Sequence, residues 1–204
     1  MKNFVKFSIC LFAFVSIAFT PQPETSNKET VVVIDVSHGG DDFGVQLGTY
    51  SEKELVLHIA NQIDLLNTNT NLKIHFTRSS DFNATLKQRV EFINDLQPDL
   101  VLSLHINENK DENASGAELY ISEASKAFVQ AEAIAKSLQL QLKTTPINKV
   151  HIKKANYFIL KNSEAPTVLL QLGYLTNDTD RKLLVDPSVQ DHISKSILGF
   201  LSEL

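Results

Sequence analysis

From residue 31 onward the chain alternates short apolar runs with apolar stripes of helical period, and few architectures accept that pattern. Residues 31–35, "VVVID", are a continuous run of strand type. Residues 52–66 carry Leu55, Val56, Ile59, Ile63 and Leu66 at the spacing of one helix face. Residues 72–77 alternate and predict a strand. Residues 84–96 predict a helix through Leu86, Val90, Ile93 and Leu96, with Asn83 as its N-cap. Short strands follow at 100–104 and 117–121, then a helix over 126–142 with Phe128, Ala131, Ile134, Leu138 and Leu142 on one side. Residues 156–160 and 167–172 read as strands. Asp186 before Pro187 opens a last helix, because proline suits the first helical position, where its missing N–H costs nothing. Strands alternating with helices predict an α/β domain whose largely parallel sheet is flanked by helices. In such sheets ligands gather beyond the carboxyl ends of the strands.

The 204 residues suffice for one domain with a sizeable core. A net charge of −5, with no cluster of lysine or arginine in the body of the chain, argues against nucleic acid, since phosphate binding needs concentrated basic charge. The first twenty residues stand apart. Lys2 and Lys6 precede an apolar run from Phe7 to Phe19, which predicts a secretory signal peptide over 1–20. That run is shorter than a comfortable membrane span. Residues 21–30, polar and carrying Pro21 and Pro23, predict a linker, which leaves 31–204 as the folded domain. The single cysteine, Cys10, falls in the leader, so the mature chain would have no disulfide framework. The expected location is outside the cytoplasm, in the periplasm or cell envelope.

Three residues share the place where ligands gather. His38 follows the first strand, His105 follows the strand at 100–104, and Glu52 opens the first helix. Ser51 and Glu54 have the spacing of a capping box, which would satisfy the first helical turn and leave Glu52 to point elsewhere. Gly39 and Gly40 let the backbone turn tightly beside them. Two histidines and a carboxylate with an open fourth position form the ligand set of a catalytic zinc. Taken singly, each has a plainer reading. A histidine at a strand end is usually a polar loop residue, and a glutamate in a first turn interacts with the helix dipole. His58, His75, His151 and His192 read as ordinary surface or core histidines.

The segments "VVVIDVSHGGDDFG", "SEKELVLHIANQI", "TRSSDFNATLKQRVEFIN", "PDLVLSLHIN", "GAELYI", "ANYFILKNSEAPTVLLQLGYLTND" and "ISKSILGFL" come in an order that resembles one family. The chain resembles the zinc-dependent N-acetylmuramoyl-L-alanine amidases that split septal and sporulation-type peptidoglycan, from about residue 31 to residue 201. The resemblance implies a three-layer α/β sandwich, with a mostly parallel central sheet and helices on both faces. It implies Zn2+ held by His38, Glu52 and His105. It implies hydrolysis of the lactyl amide joining N-acetylmuramic acid to the L-alanine of the stem peptide. In that chemistry zinc acidifies a water and polarises the amide carbonyl, and a general base takes the water's proton and passes it to the leaving amine. The expected partners are peptidoglycan and a protein activator, and the chain itself is expected to be a monomer.

In the family that base is a glutamate on the late strand. Here "TVLLQLGYLTN" puts Gln171 at the catalytic position. An amide still hydrogen-bonds a water, but it does not accept a proton at neutral pH. A placed acid–base group contributes about 10²–10⁴-fold. A smaller departure is Val36-Ser37, where the family has Pro-Gly before the histidine, and this alters only the turn. Glu118 and Glu164 are nearby carboxylates in sequence, but neither matches the family's base position. Three readings therefore stay open: an amidase, a silent pseudo-amidase that binds wall peptide or a division partner, and a zinc peptidase of related fold acting on other peptides.

Overall fold

The structure is a computed structural model and describes residues 29–204. The leader expected over 1–20, and most of the linker expected over 21–30, lie outside the described residues. Among the described residues there are eight strands and six helices, interleaved along most of the chain. The strands are β1 (Thr30–Val36), β2 (Gln46–Leu47), β3 (Tyr50–Ser51), β4 (Leu72–Phe76), β5 (Leu100–Asn107), β6 (Ala117–Ile121), β7 (Val150–Lys154) and β8 (Thr167–Tyr174). The helices are α1 (Glu52–Leu66), α2 (Leu86–Leu96), α3 (Phe128–Leu142), α4 (Phe158–Asn162), α5 (Asp178–Val185) and α6 (Pro187–Leu201).

Six strands form one sheet in the order β4-β1-β5-β8-β6-β7, and β2 and β3 pair as a small separate hairpin. β4, β1, β5 and β8 run parallel, β6 is antiparallel to β8, and β7 is parallel to β6. Strands buried on both faces read as unbroken apolar runs, and β1, β5 and β8 do so. Val32, Ile34, Leu102, Leu104 and Leu170 pack toward α1, α3 and α6, while Val33, Val101 and Leu169 pack toward α2 and α4. The expected three-layer arrangement is thus present. The chain moves from β1 outward to β4, then crosses back to β5 on the other side of β1. Such a reversal opens a crevice at the carboxyl ends of the two strands, where a ligand can enter.

Several local expectations need correction. Residues 156–160 are not a strand. Only Ile159 and Leu160 of that stretch are buried, while Tyr157 and Phe158 are 40% and 45% exposed, so its apolar residues cover one face of the short helix α4. The neighbouring strand is β7, whose sequence "VHIKK" hides its strand character because an edge strand carries charge on its solvent side. The N-cap of α2 is Thr85, not Asn83. Thr85 Oγ1 accepts from Gln88 N–H at 3.3 Å and Gln88 Oε1 accepts from Thr85 N–H at 2.9 Å, a reciprocal box. Ser51 does not cap α1 through a capping box, because its hydroxyl donates to Glu54 Oε2 at 2.7 Å. The first amides of α1 donate instead to the carbonyls of Val45 and Phe43. The expected cap at Asp186 is present, its Oδ1 accepting from Ser188 N–H at 2.8 Å. Helix α5 carried no clear signal in its mostly charged sequence, "DTDRKLLV".

Candidate metal centre

β1 ends at Val36, and Ser37 and His38 carry the chain over the carboxyl edge of the sheet. His38 has φ +58, in the left-handed region that non-glycine residues avoid. Holding such a residue there costs about 1–3 kcal/mol, so the surroundings must impose it. Gly39 completes the turn at φ +129, and a Cβ on it would lie 2.1 Å from the Phe82 carbonyl oxygen. No side chain fits there. The turn aims the His38 ring at Glu52, the first residue of α1. Gly44, missed in the sequence, is as tightly enclosed: a Cβ would lie 2.4 Å from Glu52 Oε2 and 2.6 Å from His38 Cδ2.

His105 arrives by another route. It lies within β5, not after it, because the strand continues to Asn107. Its side chain belongs to the face that carries Val101 and Ser103, and it is 21% exposed. Nδ1 of His105 lies 2.9 Å from Glu52 Oε1, and Nε2 of His38 lies 3.0 Å from Glu52 Oε2. The two imidazole rings meet edge to face, 5.5 Å between centroids. One ligand atom from each of His38, Glu52 and His105 lies within 4.8 Å of the others. The structure therefore brings together the three residues singled out in the sequence.

Glu52 is buried and held from every side. Oε1 accepts from Ile106 N–H at 3.0 Å and from the Ser37 hydroxyl at 3.3 Å, and Oε2 accepts from Val45 N–H at 3.0 Å. Burial alone would push its carboxyl up, but the hydrogen bonds and charges of His105 and His38 outweigh that and hold it well below the usual range. Burial likewise pushes the His38 imidazole down, and its bonds to Glu52 and Asp42 outweigh this and raise it. Asp42 Oδ2 lies 2.8 Å from His38 Nδ1. A carboxylate on the outer nitrogen fixes the tautomer and leaves the inner one facing the cluster, an arrangement recurrent behind metal-binding histidines. The sequence reading did not select Asp42; its signal was its place four residues after His38.

Gln171 sits on β8 directly opposite His105 on β5, and opposite Glu118 on β6. Its carbonyl oxygen Oε1 is buried and has no hydrogen-bond partner. Glu118 by contrast is fully engaged. It accepts from Tyr120 OH at 2.6 Å, Tyr174 OH at 2.7 Å and Asn107 Nδ2 at 3.2 Å, and pairs with Lys153 Nζ. Burial pushes its carboxyl up, but the bonds from Lys153 and the two tyrosines outweigh this and lower it. Glu164 precedes β8 and so lies at the opposite, amino-terminal edge of that strand, exposed and paired with Lys126 at 3.1 Å.

Residues 32–203 match the family described as N-acetylmuramoyl-L-alanine amidase. The chain belongs to this family. Across the chain's length, the germination-specific N-acetylmuramoyl-L-alanine amidase of Bacillus subtilis (strain 168) is 26% identical over 225 residues, covering 97% of this chain and 93% of that protein. The N-acetylmuramoyl-L-alanine amidase LytC of the same organism is 31% identical over 81% of this chain, but the match spans only 34% of LytC. Among solved structures, the catalytic domain of CwlV, an N-acetylmuramoyl-L-alanine amidase from Bacillus (Paenibacillus) polymyxa var. colistinus, superposes with a TM-score of 0.78 at 28% identity. That superposition covers 85% of this chain and 97% of the CwlV domain. The amidase fold and the histidine–glutamate cluster at its sheet edge are thus found in one chain.

Proposed function

We propose that this amidase-family chain acts outside the cytoplasm on peptidoglycan, using Zn2+ held by His38, Glu52 and His105 to hydrolyse the amide between N-acetylmuramic acid and L-alanine. The observation that carries the reading is the convergence of two imidazoles on one buried carboxylate at the carboxyl edge of the sheet. Two histidines and a carboxylate suit zinc and leave a coordination position for substrate or water. When bound, the ion would polarise the amide carbonyl and acidify a water. The chain's own residues do the rest. Asp42 holds the His38 tautomer, and Ile106, Val45 and Ser37 fix both oxygens of Glu52. Gln171 stands beside His105 on β8, its carbonyl oxygen buried and without a hydrogen-bond partner.

Gln171 supports a second reading, in which the site binds wall peptide with little turnover. The amide does not take a proton. Glu118 is a poor substitute, since four donors already use its lone pairs. Glu164 is at the wrong end of its strand.

Digestion of purified sacculi by the zinc-loaded protein, beside Gln171→Glu, separates the readings. Slow release of stem peptide by the wild type, with about 10²–10⁴-fold higher kcat in the variant, supports a weak amidase. No release by either protein, with zinc still bound, supports the binding reading.

A further inference from the structure

Beside the His38 turn two arginines are buried: Arg78 is 1% exposed and Arg89 is 3% exposed. Removing a guanidinium from water is costly unless its donors are well used. Here most of them meet backbone carbonyls. Arg78 Nε donates to the Val36 carbonyl at 3.0 Å, and Nη2 donates to those of Ser37 and Lys53, both at 2.8 Å. Arg89 Nη2 donates to the His38 carbonyl at 2.6 Å, and Nη1 donates to that of Val36 and to Asp35 Oδ1, the latter at 2.8 Å. Three consecutive carbonyls, those of Val36, Ser37 and His38, therefore each accept from a buried guanidinium.

The bonds have a direction. Lys53 follows Glu52 in the first turn of α1, so Arg78 joins the backbone of the His38 turn to that of the helix that presents Glu52. The turn in question is the one in which His38 adopts φ +58, and strained backbone persists only where its surroundings over-determine it. Lysine would not do the same work. Its ammonium is a point donor, whereas a planar fork spans several acceptors at once. We propose that Arg78 and Arg89 are positioning residues that set His38 against Glu52 before a metal ion arrives. This rests on the zinc reading above.

The test compares wild type, Arg78→Lys and Arg89→Lys, each checked for folding by circular dichroism. Zinc affinity is measured by competition with a chromophoric chelator, and ligand geometry by the visible spectrum of the Co2+-loaded protein. The expected result is zinc binding weakened by about 10–100-fold, the usual effect of losing a group that orients a metal ligand, with shifted Co2+ bands. Folded variants with wild-type zinc affinity and an unchanged Co2+ spectrum, only melting lower, would overturn the inference. Should the variants fail to fold, crystal structures of the wild type with and without zinc decide. The same His38 turn and the same guanidinium–carbonyl bonds in both support pre-setting, and a turn that forms only with zinc overturns it. A wild type that binds no zinc at all would sink the metal-site reading, whereas a zinc-binding wild type with unaffected variants would sink this inference alone, which keeps the two failures apart.

Discussion

Two buried glutamates stand at one edge of the sheet, Glu52 on the His105 side of Gln171 and Glu118 on the other, and they are surrounded by opposite kinds of donor. Glu52 meets two imidazoles, besides backbone amides and a serine. Glu118 meets an ammonium, two phenols and a carboxamide. Imidazole sheds its proton near neutral pH and then offers a lone pair. Ammonium and phenol keep theirs to about pH 10, and burial and Glu118 push both tyrosine hydroxyls higher still. A cation can displace the protons around Glu52. Nothing leaves the shell of Glu118. Two buried carboxylates thus lead to different chemistry, because the partners differ in what they can release.

The comparison breaks most directly at His105. His105→Ala should reduce bound zinc from one per chain to trace by metal analysis and abolish release of stem peptide. Full zinc content in a folded His105→Ala protein would mean that His105 is not a ligand of the ion. The next largest effect is the gain of about 10²–10⁴-fold expected for Gln171→Glu, appearing in kcat because the proton moves only on the way to the transition state. Glu118→Gln should behave in the contrary manner. Zinc stays at one per chain, while stability falls by about 1–3 kcal/mol in chemical denaturation, as expected for a disturbed buried hydrogen-bond set. Loss of zinc from that variant would erase the distinction between the two glutamates.

The smallest effect is in acid. The Glu118 carboxyl is lowered from its usual 4.5 by its donors, against the upward push of burial. A lowered carboxyl contributes stability that is present above its unfolded value and is lost as pH falls through its folded one. Wild-type stability should therefore drop as the pH falls below about 4.5, and Glu118→Gln should lose less over the same interval. Parallel curves for the two proteins would assign the acid sensitivity elsewhere, Glu52 and Asp35 being other buried carboxylates held low.

Hydrophobic period, read along the chain, determined the α/β class and the bounds of α1 and β6, and it set His38, Glu52 and His105 near strand and helix ends, where the family resemblance made them candidate ligands. These are local signals, set by which side chains face a core within one element. The mistaken strand at 156–160 and the missed β7 mark where that signal fails, in a short apolar run and a charged edge strand. Only the tertiary structure decided that β8 slots between β5 and β6, so that Gln171 stands between His105 and Glu118. It alone showed that Asp35, Arg78 and Arg89 are interior groups and that Glu164 is remote from the site. The physical reason is distance along the chain. A buried guanidinium such as Arg89 reaches carbonyls more than fifty residues away, and no window of sequence contains both the donor and the acceptor it must satisfy.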